Sequence, residues 1–538
     1  MQAIVEPAPA GRGIRILAIL VLVLFAALAA RAAILALSGA PPAAVGIAQP
    51  AVLRADLVDR NGALLATSLP SFELYAEPRW IKDPAATAQA LSTVLPQLDK
   101  QDAIARMQSN RDAVRLASGL TPPQRAAVHD LGLAGISFRQ TATRFYPNGA
   151  TAGRLIGRLN AEGQAISGLE RGLDSEIAAA SAAGRPLALS IDLRVQHAAE
   201  AELGRALALY RAKAGMAVVL DARTGEALAL ASVPLSDPNA SLSSAPPVEW
   251  TAAAAFELGS TIKPFTVAAA LDQQLTRLEE RFDTKAPLTA NGAVIRDPFP
   301  AAEPVPLAQA LARSSNVAIG ALAMRLGAQR QKALFEALGL AGPPPLPIAG
   351  AQSFVLPPGQ DDAAIAANGY GRGPLFTLIA LASAYTAFAD DGARVAPTLA
   401  LVKPGDPARR LPVFSAATAA AMRAMLRQAV EEGTGARAAA PGLDMAGKTG
   451  TSEKLQPNGR YDPDRNLALF AAVFPGYAPR YVMIVALDEP QRTQASGGLA
   501  TGGAVAAPTA GRIAARIAPF LDLDTARIAA DLAQTAKP

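Results

Sequence analysis

Four short apolar runs, placed in two pairs far apart, constrain this chain more than any other feature. The first pair, 216–221 and 226–232, is joined at Ala222-Arg223-Thr224-Gly225, a hairpin signal. The second pair, 467–474 and 481–487, comes much later in the chain. Between the pairs, 256–437 carries mostly helical patterning. Strands at both ends with helices inserted between them call for one antiparallel sheet layered by helices, an α/β domain. A helix over 190–209, with Asp192 near its start, precedes this region, and a last helix over 503–517 follows it.

At 538 residues the chain exceeds the usual single domain, so two or three domains are expected. Residues 54–180 alternate short strand-like runs with polar turns at Asp59-Arg60-Asn61-Gly62 and Tyr146-Pro147-Asn148-Gly149, and 85–98 reads as helical. Nothing there looks chemical, which suits a spacer or docking domain. Ahead of it lies an unbroken apolar run, 16–30, continued past Arg31 by 32–37. A helix through both has about the length of a bilayer crossing, with Arg31 able to snorkel. Arg12 and Arg15 place the short N-terminus in the cytoplasm and the bulk outside. A cleaved signal peptide, with Ala27-Leu28-Ala29 as its small-x-small site, is the alternative and exports the rest equally. Residues 40–49 read as a linker, and 343–347 and 404–412 as surface loops.

Several chemistries are disfavoured at once. There is no cysteine, hence no disulfide, thiolate site or cysteine nucleophile. His129 and His197 are the only histidines, both in helical stretches, so a histidine zinc site has no support. The net charge of +5 is scattered and aromatics are 5%, so no nucleic-acid groove is indicated.

Three polar motifs remain. In Ser260-Thr261-Ile262-Lys263-Pro264 the proline is tolerated only in a first helical turn, so a helix should start at about Ser260. Lys263 then shares a face with Ser260. Serine needs a base to become a nucleophile, and a lysine held neutral by burial or a neighbouring cation can be that base. The bland alternative is a capping serine with a solvated lysine. Ser314-Ser315-Asn316 sits between helical segments 307–312 and 317–326; it is either a plain cap, or a proton relay (Ser314) with an amide that holds substrate (Asn316). Lys448-Thr449-Gly450-Thr451 completes the set. Gly442 to Thr449 matches the phosphate-binding loop pattern literally, but no helix can start comfortably after it. As an edge strand, the motif puts Lys448 and Gly450 on one face and Thr449 and Thr451 on the other. The Lys448 ammonium could then hold a carboxylate and help keep Lys263 neutral.

Together these motifs resemble those of the penicillin-binding serine acyl-transferases, in that family's order and spacing. Asp59-Arg60-Asn61-Gly62, Tyr146-Pro147-Asn148-Gly149, Gly168-Leu169-Glu170, 216–239, Gly369-Tyr370-Gly371 and 447–461 look like class B members. The stretch after Thr451, through Gly459-Arg460-Tyr461, looks most like the septal peptidoglycan transpeptidase of cell division. The resemblance implies the penicillin-binding transpeptidase fold, an antiparallel five-stranded sheet with helices on both faces. It adds an elongated α+β pedestal and one transmembrane helix. The implied divisions are a cytoplasmic tail 1–15, anchor 16–38, linker 39–50, dimerisation-type pedestal 51–182, transpeptidase domain 183–521 and tail 522–538.

The resemblance also implies roles. Ser260 attacks the penultimate D-Ala carbonyl of a peptidoglycan stem, Lys263 is its base, and Ser314 with Lys448 passes the proton to the leaving group. Asn316, Thr449, Gly450 and Thr451 bind substrate, and the N–H groups of Ser260 and Thr451 hold the oxyanion. No metal or organic cofactor is implied. The implied partners are stem peptides, β-lactams, the membrane, a glycan polymerase and other division proteins. The implied location is single-pass in the bacterial inner membrane, with a periplasmic catalytic domain. An elongation-type transpeptidase, a penicillin-binding sensor or scaffold acylated only once, and a carboxypeptidase or β-lactamase are the alternatives. Two positions depart from the family: Leu258 stands where many relatives have proline, and Glu249-Trp250-Thr251 lies near the place of a missing Asn-Arg-Ala run.

Overall fold

The computed structural model describes residues 11–37, 53–240, 246–342, 346–352, 361–403, 405–406, 409–440, 442–456, 458–476 and 478–523. The expected linker, nearly all of the C-terminal tail, most of the cytoplasmic tail, and parts of the loops at 343–347 and 404–412 lie outside the described residues. Helix α1 runs over Gly11–Leu37. Among the described residues no helix is long and apolar enough to cross a membrane. The side chains of α1 are described without a break only over 15–31, where Leu17, Leu22 and Phe25 are exposed.

The N-terminal region forms strands β1 (Leu64–Ala76), β2 (Val114–Leu120) and β3 (Ile136–Phe145). β1 pairs antiparallel with both of the others. These strands are longer than the short runs expected, because polar residues, some exposed and some buried such as Ser71 and Glu73, interrupt the apolar pattern. Helices over Pro84–Val94, Lys100–Met107 and Pro122–Asp130 are capped by Asp83, Asp99 and Thr121, which accept backbone N–H bonds that the first turn leaves unpaired. Leu74, Leu91, Leu95, Met107 and Leu120 give this region its own core.

The second region is built on the expected sheet. Its strands are β4 (Ala214–Asp221), β5 (Ala227–Val233), β6 (Ala446–Leu455), β7 (Tyr461–Phe474) and β8 (Tyr481–Asp488), in the order β6-β7-β8-β4-β5. Every pairing is antiparallel. Alternate residues feed two cores. Met216, Val218, Leu469, Ala471 and Ile484 pack beneath Phe265 and Tyr385 on one face. Ala217, Val219, Phe470, Met483 and Val485 pack against α2 (Leu193–Tyr210) and the last helix, Ala507–Ile517, on the other. Burial on both faces explains why these strands read as continuous apolar runs instead of alternating ones.

Motifs that looked chemically idle prove to be joints between the regions. Asp59 accepts from the N–H groups of Asn61 and Ala63 at 2.8 Å, and from Leu193 N–H at 3.0 Å at the start of α2. Asn239 brackets Tyr146, accepting from its N–H at 3.1 Å and donating to its carbonyl at 2.8 Å. Arg154 stacks over Trp250 at 4.0 Å and donates to the Pro234 carbonyl at 2.6 Å. Glu249, near the place of the missing run, is buried and accepts from Ser232 Oγ at 2.5 Å and Thr251 Oγ1 at 2.8 Å.

Glu200 lies in the same joint, accepting from Ala152 N–H at 2.9 Å and Gln196 Nε2 at 2.8 Å. Its other oxygen is buried with no hydrogen-bond partner among the described residues. Burial raises its carboxyl from 4.5 to about 7, against the lowering effect of the two bonds. A carboxyl raised in the folded state stabilises below its unfolded pKa and loses that contribution as pH rises through the folded one. We therefore expect roughly 3 kcal/mol of stability to be lost between about pH 4.5 and 7.5. Denaturant titrations at the two pH values should show the loss in the wild type and much less of it in Glu200→Gln.

Candidate active site

The turn that carries Ser260 is built by its neighbours. A tight 3₁₀ turn spans Gly259–Thr261, and helix α3 follows over Lys263–Asp272 with Pro264 in its first turn. Ser260 thus sits in the turn before the helix, which starts at Lys263, three residues later than expected. Gly259 has φ +54°, and a Cβ there would lie 3.0 Å from the Thr451 carbonyl, so the turn needs glycine to approach β6. Gly259 N–H donates to the Gly371 carbonyl at 3.0 Å, and Tyr385 OH donates to the Thr261 carbonyl at 2.9 Å. Ser260 is half-buried, and among the described residues its hydroxyl makes no side-chain hydrogen bond.

Lys263 is wholly buried, which removes the solvated-lysine alternative. Its Nζ donates to the Ser314 carbonyl at 2.6 Å and to Asn316 Oδ1 at 2.7 Å, and lies 3.1 Å from Ser314 Oγ. The two carbonyl oxygens can only accept, and they use both N–H bonds of a neutral amine. Burial holds this amine well below the usual lysine range, and the charge of Lys448 lowers it further against the opposing pull of Asp297.

Ser315, not Ser314, is the helix cap: its Oγ accepts from Ala318 N–H at 3.0 Å at the start of Asn316–Leu326. That leaves the Ser314 hydroxyl for Lys263. Ser314 holds a left-handed φ of +63°, a strained setting for a residue with a side chain. Asp297 went unnoticed in the sequence. Its Oδ1 accepts from the N–H groups of Asn316 at 2.5 Å and Val317 at 3.1 Å, fixing the helix end that carries the motif. No short spacing links it to the motif, so no local signal pointed to it.

β6 is the edge strand, and Lys448 is buried on it. Its Nζ donates to the Thr449 carbonyl at 3.0 Å, and burial lowers its pKa from 10.5 to about 7. The phosphate-loop reading fails because Gly442 to Thr449 runs into this strand, with no helix after it. Thr449 Oγ1 meets Thr434 Oγ1 at 2.5 Å, and Thr451 Oγ1 accepts from Gly502 N–H at 3.0 Å. The opposite face meets the Ser260 turn: a Cβ on Gly450 would lie 2.8 Å from the Leu258 carbonyl and 3.0 Å from Thr261 Cγ2. The three motifs thus meet in one place, with Lys263 joined to the second and β6 against the turn that carries Ser260. Gly450→Ala should push β6 off that turn and slow acylation on the order of 10²-fold while the protein stays folded. Stopped-flow labelling beside a thermal melt checks this. Among the described residues no cluster of His, Cys, Asp and Glu could hold a metal ion.

Comparison with known proteins agrees with this geometry. The penicillin binding protein transpeptidase domain family matches residues 215–515, and the penicillin-binding protein dimerisation domain matches 50–180. The probable peptidoglycan D,D-transpeptidase FtsI of Caulobacter vibrioides is 38% identical, over 87% of this chain and 81% of its own length. The peptidoglycan D,D-transpeptidase FtsI of Escherichia coli K12 is 31% identical, over 87% and 83%. Penicillin binding protein 3 of Mycobacterium tuberculosis, solved with aztreonam, has a TM-score of 0.69 at 24% identity, covering 88% of this chain and 96% of its own. That likeness speaks for the fold alone. The chain belongs to the class B penicillin-binding proteins, with a dimerisation domain ahead of a transpeptidase domain.

Proposed function

We propose that this protein is a serine D,D-transpeptidase that cross-links peptidoglycan stem peptides during cell division and is acylated by β-lactams. Ser260 Oγ attacks the penultimate D-Ala carbonyl as Lys263 Nζ takes its proton. The oxyanion lies between the backbone N–H groups of Ser260 and Thr451. The Lys448 ammonium holds the terminal carboxylate, Asn316 and Thr449–Thr451 align the chain, and Ser314 relays the proton to the leaving D-Ala amine. An amine from a second stem then attacks the acyl ester, forming the cross-link and freeing Ser260. The observation that carries this reading is the buried Lys263 amine, bonded to Ser314 and Asn316 and one turn from Ser260.

Domain roles follow the same reading. Residues 51–182 are the pedestal and 183–521 the transpeptidase domain. The single-span anchor is read from the sequence, as 16–38 with its unbroken apolar run 16–30, and Arg12 and Arg15 favour a cytoplasmic start. The catalytic domain is then periplasmic, and a glycan polymerase with other division proteins supplies the strands it joins.

The test offers the purified protein a stem-peptide thioester with a D-amino acid as acceptor. Repeated turnover to the exchanged product is expected. A single burst equal to the enzyme concentration would instead mark a sensor that is acylated once.

A further inference from the structure

Glu257 lies three residues before Ser260, and none of the motifs above includes it. Its Oε1 accepts from Tyr461 OH at 2.7 Å and from Gly373 N–H at 3.0 Å, and its Oε2 accepts from Ser452 Oγ at 3.3 Å. One carboxylate therefore gathers three segments. Ser452 on β6 directly follows Thr451, and Tyr461 opens β7. Gly373 belongs to the loop whose Gly371 carbonyl accepts from Gly259 N–H. A Cβ on Gly371 would lie 1.9 Å from the Gly259 carbonyl, so this loop presses on the nucleophile turn itself. Across the cluster, Arg372 stacks over the Tyr461 ring at 3.7 Å and pairs with Glu453 at 3.3 Å.

The bonds of Glu257 flank both halves of the proposed oxyanion site, just before Ser260 and just after Thr451. The register of β6 against β7, with Thr451 opposite Ala468, fixes that strand from its far side. On its near side, against the turn, Gly450 and Gly259 offer close approach but no side chain to hold the distance. We propose that Glu257 is a positioning residue for acylation, setting the gap between the Ser260 turn and the Thr451 edge. The proposal rests on the acyl-transfer reading above and adds to it the group that preorganises the site. A carboxylate suits the task because three donors converge on it and it only accepts. Its cluster lies at a half-exposed rim, apart from the two apolar cores that hold the sheet.

The test resolves acylation by a fluorescent penicillin into a non-covalent Kd and a limiting rate, for wild type, Glu257→Ala, Glu257→Gln and Tyr461→Phe, with thermal melts alongside. Glu257→Ala should lower the limiting rate on the order of 10²-fold, with Kd changed by no more than about threefold. Glu257→Gln should recover most of the rate, since its amide oxygen still accepts from Tyr461 and Gly373, and Tyr461→Phe should fall between. A Glu257→Ala rate within about twofold of wild type would overturn the proposal. So would a loss that tracks only the unfolded fraction. Wild type that forms no adduct would overturn the underlying reading as well, and is told apart by that.

Discussion

Ser260→Ala should leave the protein folded and abolish its covalent labelling by a fluorescent penicillin. The substitution removes one oxygen from a half-buried position where that oxygen makes no side-chain hydrogen bond among the described residues. Nothing that holds the turn is lost, because the Gly259–Gly371 and Tyr385–Thr261 bonds are independent of it. The melting temperature should therefore stay near that of wild type. Chemically the loss is complete: without Oγ no ester forms, and neither Lys263 nor Lys448 can replace it from its buried place. The drop in acylation should be at least about 10⁴-fold, the scale of deleting a nucleophile that works with its base as a unit. In-gel fluorescence and intact mass read it. An adduct that persists at wild-type yield would mean that another residue is the nucleophile.

Lys263→Gln should come close to the same loss by a different route. The amide can still donate to the Ser314 carbonyl and to Asn316 Oδ1, so the buried acceptors keep partners. It cannot take a proton. Removing a general base costs up to about 10⁴-fold, and the serine here has no histidine within its site to serve instead. Arginine is a poorer probe, because the space around Lys263 is closed and a guanidinium stays charged. The non-covalent Kd should move little, since Lys448 and β6 are untouched. A Lys263→Gln protein that acylates within about tenfold of wild type would contradict the assignment of Lys263 as base.

What was legible in the sequence follows from how each part is buried. β4, β5, β8 and the second half of β7 are covered on both faces, so their apolar runs stood out. The first half of β7 and the end of β6 carry polar, exposed residues such as Asp464 and Glu453, and the hairpin they form was not visible. Ser260 and Lys263 were legible because Pro264 restricts the backbone around them, and Lys448 because its motif follows theirs in a known family's order and spacing. Asp297 and Glu257 were not, because each acts on segments remote in sequence whose contact depends on tertiary register. Glu200 falls within the helix expected over 190–209, and only tertiary packing, with Ala152 against it, makes it a buried carboxyl.

At the centre of the account is a buried lysine that carries no proton at neutral pH. The pH dependence of acylation measures this directly. Lysine has a reference pKa of 10.5, and burial beside Lys448 holds Lys263 far below it. A lysine that acts as the base must be neutral near pH 7, so more base should not speed the reaction. The second-order acylation rate constant should be level or falling from about pH 7.5 to about 9.5, with any fall reflecting the proton that Lys448 gives up. A rate constant that climbs about tenfold per pH unit across that range would show a lysine charged at neutral pH, and would contradict the mechanism.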